Sequence, residues 1–255
     1  MASGTSIEWT DATWNPVSGC TKISDGCDFC YAERIAERFR GVRNHPFENG
    51  FDVTLRPHKL QEPLSWKAPR RIFVNSMSDL FHKEIPRPFI DAVFDTMEAA
   101  HWHVFQVLTK RSSPLRNYVN HRYSGRPAPR HMWFGVSIEN RKSLVRLTHL
   151  KQASATVRFV SFEPLLEHLG NLDLTGIHWA IAGGESGPNA RPIDRAWVRS
   201  LRDQCKEQNV AFFFKQWGGL RPKSGGNRLD GRQWLQYPQS RMTSAIQSTR
   251  DQLTT

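Results

Sequence analysis

The chain is short of cysteine, with four in 255 residues, and short of acid, with 24 aspartates and glutamates against 35 lysines and arginines. With only four cysteines, three of them clustered, a disulfide framework is not expected and a reducing cytoplasm is the expected compartment. No apolar run approaches the roughly 20 residues that a bilayer demands, and the polar N-terminus carries no leader-like segment, so neither a membrane protein nor a processed precursor is expected. No internal repeat is visible, and the ten histidines show no metal-binding spacing. His45 and His82 remain the two that could complete a zinc site.

The acid deficit leaves a net charge of +11, which favours polyanionic partners, nucleic acid first. The basic residues are dispersed, as in Arg34, Arg38, Arg40 and Arg43 or Lys110, Arg111 and Arg116, which a solvated surface would explain equally. Nine tryptophans and fifteen phenylalanines can stack bases or fill a core.

What the chain does have is concentrated between Cys20 and Cys30. Three of the four cysteines lie there, in Gly19-Cys20-Thr21-Lys22-Ile23-Ser24-Asp25-Gly26-Cys27-Asp28-Phe29-Cys30. Close thiolates suit soft metals, zinc or iron–sulfur. A closed zinc site wants four protein ligands, whereas three thiolates on a cubane cluster leave one iron open. A zinc site completed by a histidine, or a reduced thiol group without metal, are the alternatives.

Around this loop runs a βα rhythm. Trp14 to Ser18 reads as a short strand leading into the loop, and Tyr31 to Phe39 as a helix with Ile35, Ala36 and Phe39 on one face. Residues 40–70 read as an irregular, proline-rich insertion, with Phe51 to Leu55 either a strand or a helix start. Apolar strands are then predicted at Arg71 to Asn75, His103 to Leu108, Met132 to Val136, Val157 to Phe162, His178 to Ala182 and Ala211 to Phe214. Helices are predicted over Pro88 to Ala100, from a hydroxyl cap at Ser112-Ser113-Pro114, through Leu144, Leu147 and Leu150, and over Trp197 to Gln208, with Cys205 buried inside. The expected fold is α/β, a partial (β/α) barrel of parallel strands forming one domain over residues 1–238, with a polar tail over 239–255.

Polar residues recur just after these strands, where barrels build their sites. The candidates are Ser76, Ser78 and Asp79, Lys110, Ser137 and Glu139, Glu163, Glu185, and Lys215 with Gln216. Each could instead be a strand end satisfied by its own loop, and Glu163 with Lys215 could be an interior ion pair.

The spacing Cys27-Asp28-Phe29-Cys30 resembles the radical S-adenosylmethionine superfamily, whose last two cluster cysteines are spaced Cys-x-aromatic-Cys. The first gap departs from the usual three residues, since six lie between Cys20 and Cys27. Trp14-Asn15-Pro16, the cysteine loop, Gly183-Gly184-Glu185-Ser186 and Phe214-Lys215-Gln216-Trp217-Gly218 together resemble a family of phages and bacteria that looks like divergent radical S-adenosylmethionine proteins related to spore photoproduct lyase. The resemblance implies a radical-SAM-like barrel and a 4Fe-4S cluster on Cys20, Cys27 and Cys30. It also implies S-adenosylmethionine bound by Phe29, Ser76, Ser78, Asp79, Lys110, Ser137 and Glu139, and an external electron donor. Cleavage of the cofactor to a 5′-deoxyadenosyl radical would then modify or repair a substrate, with nucleic acid as the leading class and Lys110, Glu163, Glu185 and Lys215 as candidate catalytic groups. Two other functions stand beside it: a zinc-bearing nucleic-acid-binding protein with a structural cysteine loop, and a cluster-binding, non-catalytic phage or host partner.

Overall fold

In a computed structural model, which describes residues 5–221, 223–239 and 246, seven strands form one sheet. They are β1 (Ala12–Trp14), β4 (Arg71–Val74), β5 (Val104–Thr109), β6 (Met132–Ser137), β7 (Val157–Phe162), β8 (Trp179–Gly183) and β9 (Ala211–Gln216). Every neighbouring pair is parallel and the spatial order follows the chain, so the sheet curls into the expected partial barrel with β1 and β9 as its edges. Five of the six connections carry a helix, α1 (Tyr31–Glu37), α2 (Arg87–Ala99), α3 (Ser112–Tyr123), α4 (Val145–Lys151) and α5 (Arg195–Glu207), while β7 runs to β8 through an irregular crossover. Two small ribbons complete the described elements, β2 (Val17–Ser18) with β3 (Thr54–Leu55) and β10 (Arg228–Leu229) with β11 (Arg232–Gln233).

Strand residues alternate between two cores, because successive side chains leave opposite faces. On the convex face Ile72, Val74, Phe105, Val107, Phe134, Val160, Ala180 and Phe212 pack beneath the helices. On the concave face Phe73, Trp133, Phe159, Trp179 and Phe213 meet Trp9 in an aromatic layer that fills the lower lumen. Gly135 is the small member of that layer, since a Cβ there would strike the Phe159 ring.

The expected strand from Trp14 to Ser18 is broken at Asn15-Pro16. Proline offers no N–H to a ladder, and the Asn15 amide oxygen instead accepts from Ser76 Oγ (3.2 Å) and Met77 N (3.1 Å). Val17 and Ser18 turn away to pair with Leu55 and Thr54, so of the 51–55 stretch only Thr54–Leu55 is strand and Phe51 to Val53 form a turn leading into it. Helix α1 ends at Glu37 and buries Ala32 and Ala36, while Ile35 faces outward. The hydroxyl cap expected at Ser112 is not used: its Oγ bonds His149 Nδ1 at 2.9 Å, and α3 starts without a side-chain cap. Cys205 is buried in α5, and burial pushes its thiol up to about 12. The tail expected over 239–255 lies outside the described residues except for Gln239 and Ile246, whose side chain packs against the aromatic layer. Among the described residues no helix is long and apolar enough to cross a membrane.

Candidate functional site

Above the aromatic layer, at the carboxyl ends of the strands, lies a cavity of about 450 Å³. The strand period explains its lining. In β7 Phe159 belongs to the lower layer, and Ser161 and Glu163, two and four residues on, reach the cavity on the same face. Phe213 leads likewise to Lys215, Phe73 to Asn75, and Trp133 past Gly135 to Ser137.

The cysteine loop forms another wall. Gly19 must be glycine, because its φ is 86° and Phe51 and Asp52 press their backbones where a Cβ would be. Cys20, Cys27 and Cys30 are free thiols, half-buried, and all three line the cavity with Phe29. Cys27 ends a single 3-10 turn, Asp25–Cys27, and Cys30 precedes α1. Arg111 donates from Nη1 to Cys20 Sγ (3.3 Å) and to Asp79 Oδ2 (3.0 Å), and from Nη2 to the Thr21 carbonyl (3.1 Å). Burial nevertheless pushes the Cys20 thiol above its ordinary pKa, against the opposing effect of Arg111.

A second arginine fastens the same loop from the far side of the sheet. Arg191 grips both oxygens of Glu185 (2.7 and 2.9 Å) and donates to Asp28 Oδ2 (3.1 Å) and the Asp25 carbonyl (2.8 Å). Its guanidinium also stands 5.1 Å from the centre of the Phe29 ring.

Most of the expected site residues do meet at this cavity. Phe29, Ser76, Ser78, Asp79, Lys110, Ser137, Glu163, Glu185 and Lys215 line it along with the three cysteines. Several side chains are committed to the protein itself. Ser78 Oγ donates to the Val17 carbonyl (3.0 Å), while Asp79 accepts from Thr109 Oγ1 (2.7 Å), Lys110 N (3.1 Å) and Arg111. Ser76 bonds Asn15, and its carbonyl accepts from Tyr31 OH (2.7 Å). Lys215 Nζ donates to Glu163 Oε1, the interior ion pair foreseen as an alternative.

Glu139 is the correction among the site residues. It is fully buried and does not line the cavity; Oε2 accepts from Arg146 at 2.6 Å, and a Cβ on Gly26 would lie 3.1 to 3.2 Å from its carboxyl group. Beyond Ser137 the strand ends, the alternation stops, and the side chain tucks under the cysteine loop. Its Oε1 has no hydrogen-bond partner among the described residues.

Among the described residues, no three His, Cys, Asp or Glu side chains are gathered tightly enough to hold a metal ion. The two histidines considered for zinc are occupied. His82 Nδ1 accepts from Glu84 N (3.2 Å), so its Nε2 carries the proton and donates to Thr21 Oγ1 (2.8 Å). His45 stacks on Phe39 at 3.8 Å between ring centres, and its Nδ1 accepts from Phe47 N.

Asn75, Ser161, Arg111, Arg34 and Arg191 were missed in the sequence. Alternation continued past Phe73 and Phe159 would have found the first two. Nothing local marks Arg191, which lies 163 residues from Asp28.

No curated protein matches the sequence. Among solved structures, three forms of spore photoproduct lyase are similar, each 11% identical. A cysteine-to-serine mutant covers 82% of this chain and 65% of its own, with a TM-score of 0.47. A double mutant with bound AdoMet and dinucleoside spore photoproduct covers the same shares, at 0.45, and a cysteine-to-alanine mutant covers 86% and 78%, at 0.43. The chain thus spans 65% of the length of the first two lyase chains. A family model matches residues 4–238, and with most of its length so matched the chain belongs to the family described as Protein of unknown function (DUF5131).

Proposed function

We propose that the chain is a radical S-adenosylmethionine enzyme whose cysteine loop holds a 4Fe-4S cluster. The observation that carries this is the gathering of three free thiols, Cys20, Cys27 and Cys30, on one wall of a cavity at the strand ends. The donor set fits the group. One zinc ion needs every ligand atom within about 2.0 to 2.3 Å of a single point, whereas thiolates on a cluster each take a different iron and stand farther apart. When bound, the cluster would supply the electron for reductive cleavage of S-adenosylmethionine to a 5′-deoxyadenosyl radical, drawn from an external donor.

The chain's own residues would bind and orient. Lys110 lines the cavity with an ammonium that has no partner among the described residues, so it is suited to the cofactor carboxylate. Phe29 offers an aromatic face toward the adenine, and Ser137, with Ser161 beside it on β7, offers hydroxyls for the ribose. Ser76, Ser78 and Asp79 would position: Asp79 holds the guanidinium of Arg111 against Cys20, and Ser76 ties Asn15 to Tyr31. Glu139 would support the loop at Gly26. Glu185, tied to Arg191, would fix the rim, while Glu163 and Lys215 form the polar pair available for proton transfer near a substrate.

Anaerobic reconstitution with counts of iron, sulfide and zinc, followed by dithionite and S-adenosylmethionine, tests the reading. Near-stoichiometric iron and sulfide with 5′-deoxyadenosine, both lost in Cys27→Ala, is the expected result. Zinc without sulfide would sink it, and a cluster without 5′-deoxyadenosine would leave a non-catalytic cluster protein.

A further inference from the structure

Five basic side chains line the cavity, Arg34, Lys110, Arg111, Lys215 and Lys223. Three of them face carboxylates: Arg111 pairs with Asp79, Lys215 with Glu163, and Lys223 with Glu8. Lys110 and Arg34 pair with nothing among the described residues, although both are half-buried. The function proposed above employs Lys110. Arg34 is left over.

Its surroundings are specific. Arg34 lies on α1, four residues past Cys30, and its guanidinium rests on Gly187, where a Cβ would collide with Nη1 and stand 3.1 Å from Cζ. Gly187 has φ of 135°, so its conformation and the close approach both call for glycine. The nearest carboxylate in sequence to Gly187 is Glu185, and Arg191 already takes both of its oxygens. The fold therefore supplies one arginine to neutralise Glu185 and lays another, from α1, over Gly187 two residues along that loop, with no carboxylate partner among the described residues. Ser186 and Gln216, bonded to each other at 2.7 Å, add a neutral polar wall to the same cavity.

A partly desolvated guanidinium has five N–H donors in a planar fork and no acceptor, and it gains most from an anion that offers two oxygens to two of those donors at once, as a phosphate does. We propose that Arg34 anchors a phosphate of a nucleotide substrate, a phosphodiester within a strand or the monoester of a free nucleotide, on the side of the cavity formed by the β8 and β9 loops. The net charge of +11 agrees with a polyanionic substrate. This deepens the function proposed above by naming what the substrate must carry, and its test does not need the cluster.

The test is binding of a short, fluorescein-labelled single-stranded DNA to the full chain, followed by anisotropy from about 50 to about 200 mM salt, with adenosine and adenosine monophosphate as competitors. Arg34→Ala should weaken binding about tenfold and lower the salt slope by about 0.7, the value of one phosphate contact on a single strand. Arg34→Lys, which keeps charge without the planar fork, should fall between. Arg126→Ala, an exposed arginine beyond α3, should bind as the unaltered chain does. Should Arg34→Ala melt early, Gly187→Ala offers a second route, since its methyl would displace the guanidinium and should weaken binding similarly.

Competition by adenosine monophosphate but not adenosine assigns the phosphate to a free nucleotide, and competition by neither assigns it to the strand. No binding of DNA or mononucleotide, an Arg34→Ala that binds as tightly as the unaltered chain, or an equal loss in Arg126→Ala overturns the proposal. Arg34-dependent binding by a protein that takes up no iron would keep this inference and remove the function above.

Discussion

The lower and upper halves of the barrel lumen are built from the same strands and the same face, yet they are opposite in chemistry. Below, Trp9, Phe73, Trp133, Phe159, Trp179 and Phe213 close the lumen with rings, and Trp179 alone has five aromatic neighbours between 5.2 and 6.2 Å. Above, two to four residues further along, the face carries Asn75, Ser137, Ser161, Glu163 and Lys215 around an open cavity. Aromatic burial stabilises the fold, whereas half-buried charges cost desolvation that pairing only partly offsets. The lower layer thus serves stability, and the upper one spends some of it on a site.

Substitutions should separate the two halves. The largest effect is expected for Trp179→Ala, which removes the hub of the lower layer and should cost about 3 to 5 kcal/mol, read from the denaturant midpoint. A midpoint unchanged from that of the parent chain would dissolve the distinction. Arg191→Ala should cost less, about 1 to 3 kcal/mol, because it leaves the Glu185 carboxylate unpaired. Its more telling effect is on the loop: alkylation of Cys27 and Cys30 by iodoacetamide should quicken several-fold, and an unchanged rate would show that the loop holds itself. Next comes Glu163→Gln, about 1 to 2 kcal/mol, with most of the loss recovered when Lys215→Met is added, since replacing both partners removes the stranded charge. A double variant worse than either single one would mean the pair does more than cancel charge. Cys205→Ala is expected to be the smallest, about 1 kcal/mol with iron stoichiometry unchanged, and a loss of iron there would move the metal site away from the loop.

Much of this was legible before folding. Phe159, Ser161 and Glu163 spell the transition from core to cavity in alternate letters, and the clustering of Cys20, Cys27 and Cys30 in the sequence is matched by three thiols on one wall of that cavity. Legibility stops where the regular period stops. Glu139 stands two residues after Ser137, so alternation points it at the cavity, but the strand has ended and the side chain goes to Arg146 instead. Lys110 and Arg111 are equally basic in the sequence. Only folding assigns Arg111 to Cys20 and Asp79 and leaves the Lys110 ammonium without a partner among the described residues.

The amino-acid sequence by itself determined the local terms: strand and helix periods, the parallel order that short βα units enforce, and the clustering of three thiols in one loop. Those follow from neighbours a few residues apart, where backbone geometry repeats. Only the tertiary structure decided the long-range pairings, Arg191 with Glu185 and Asp28, Lys215 with Glu163, and Arg34 with none of the described residues. Which charge meets which depends on the curl of the whole sheet, and that curl is a sum over every strand rather than a property of any one stretch.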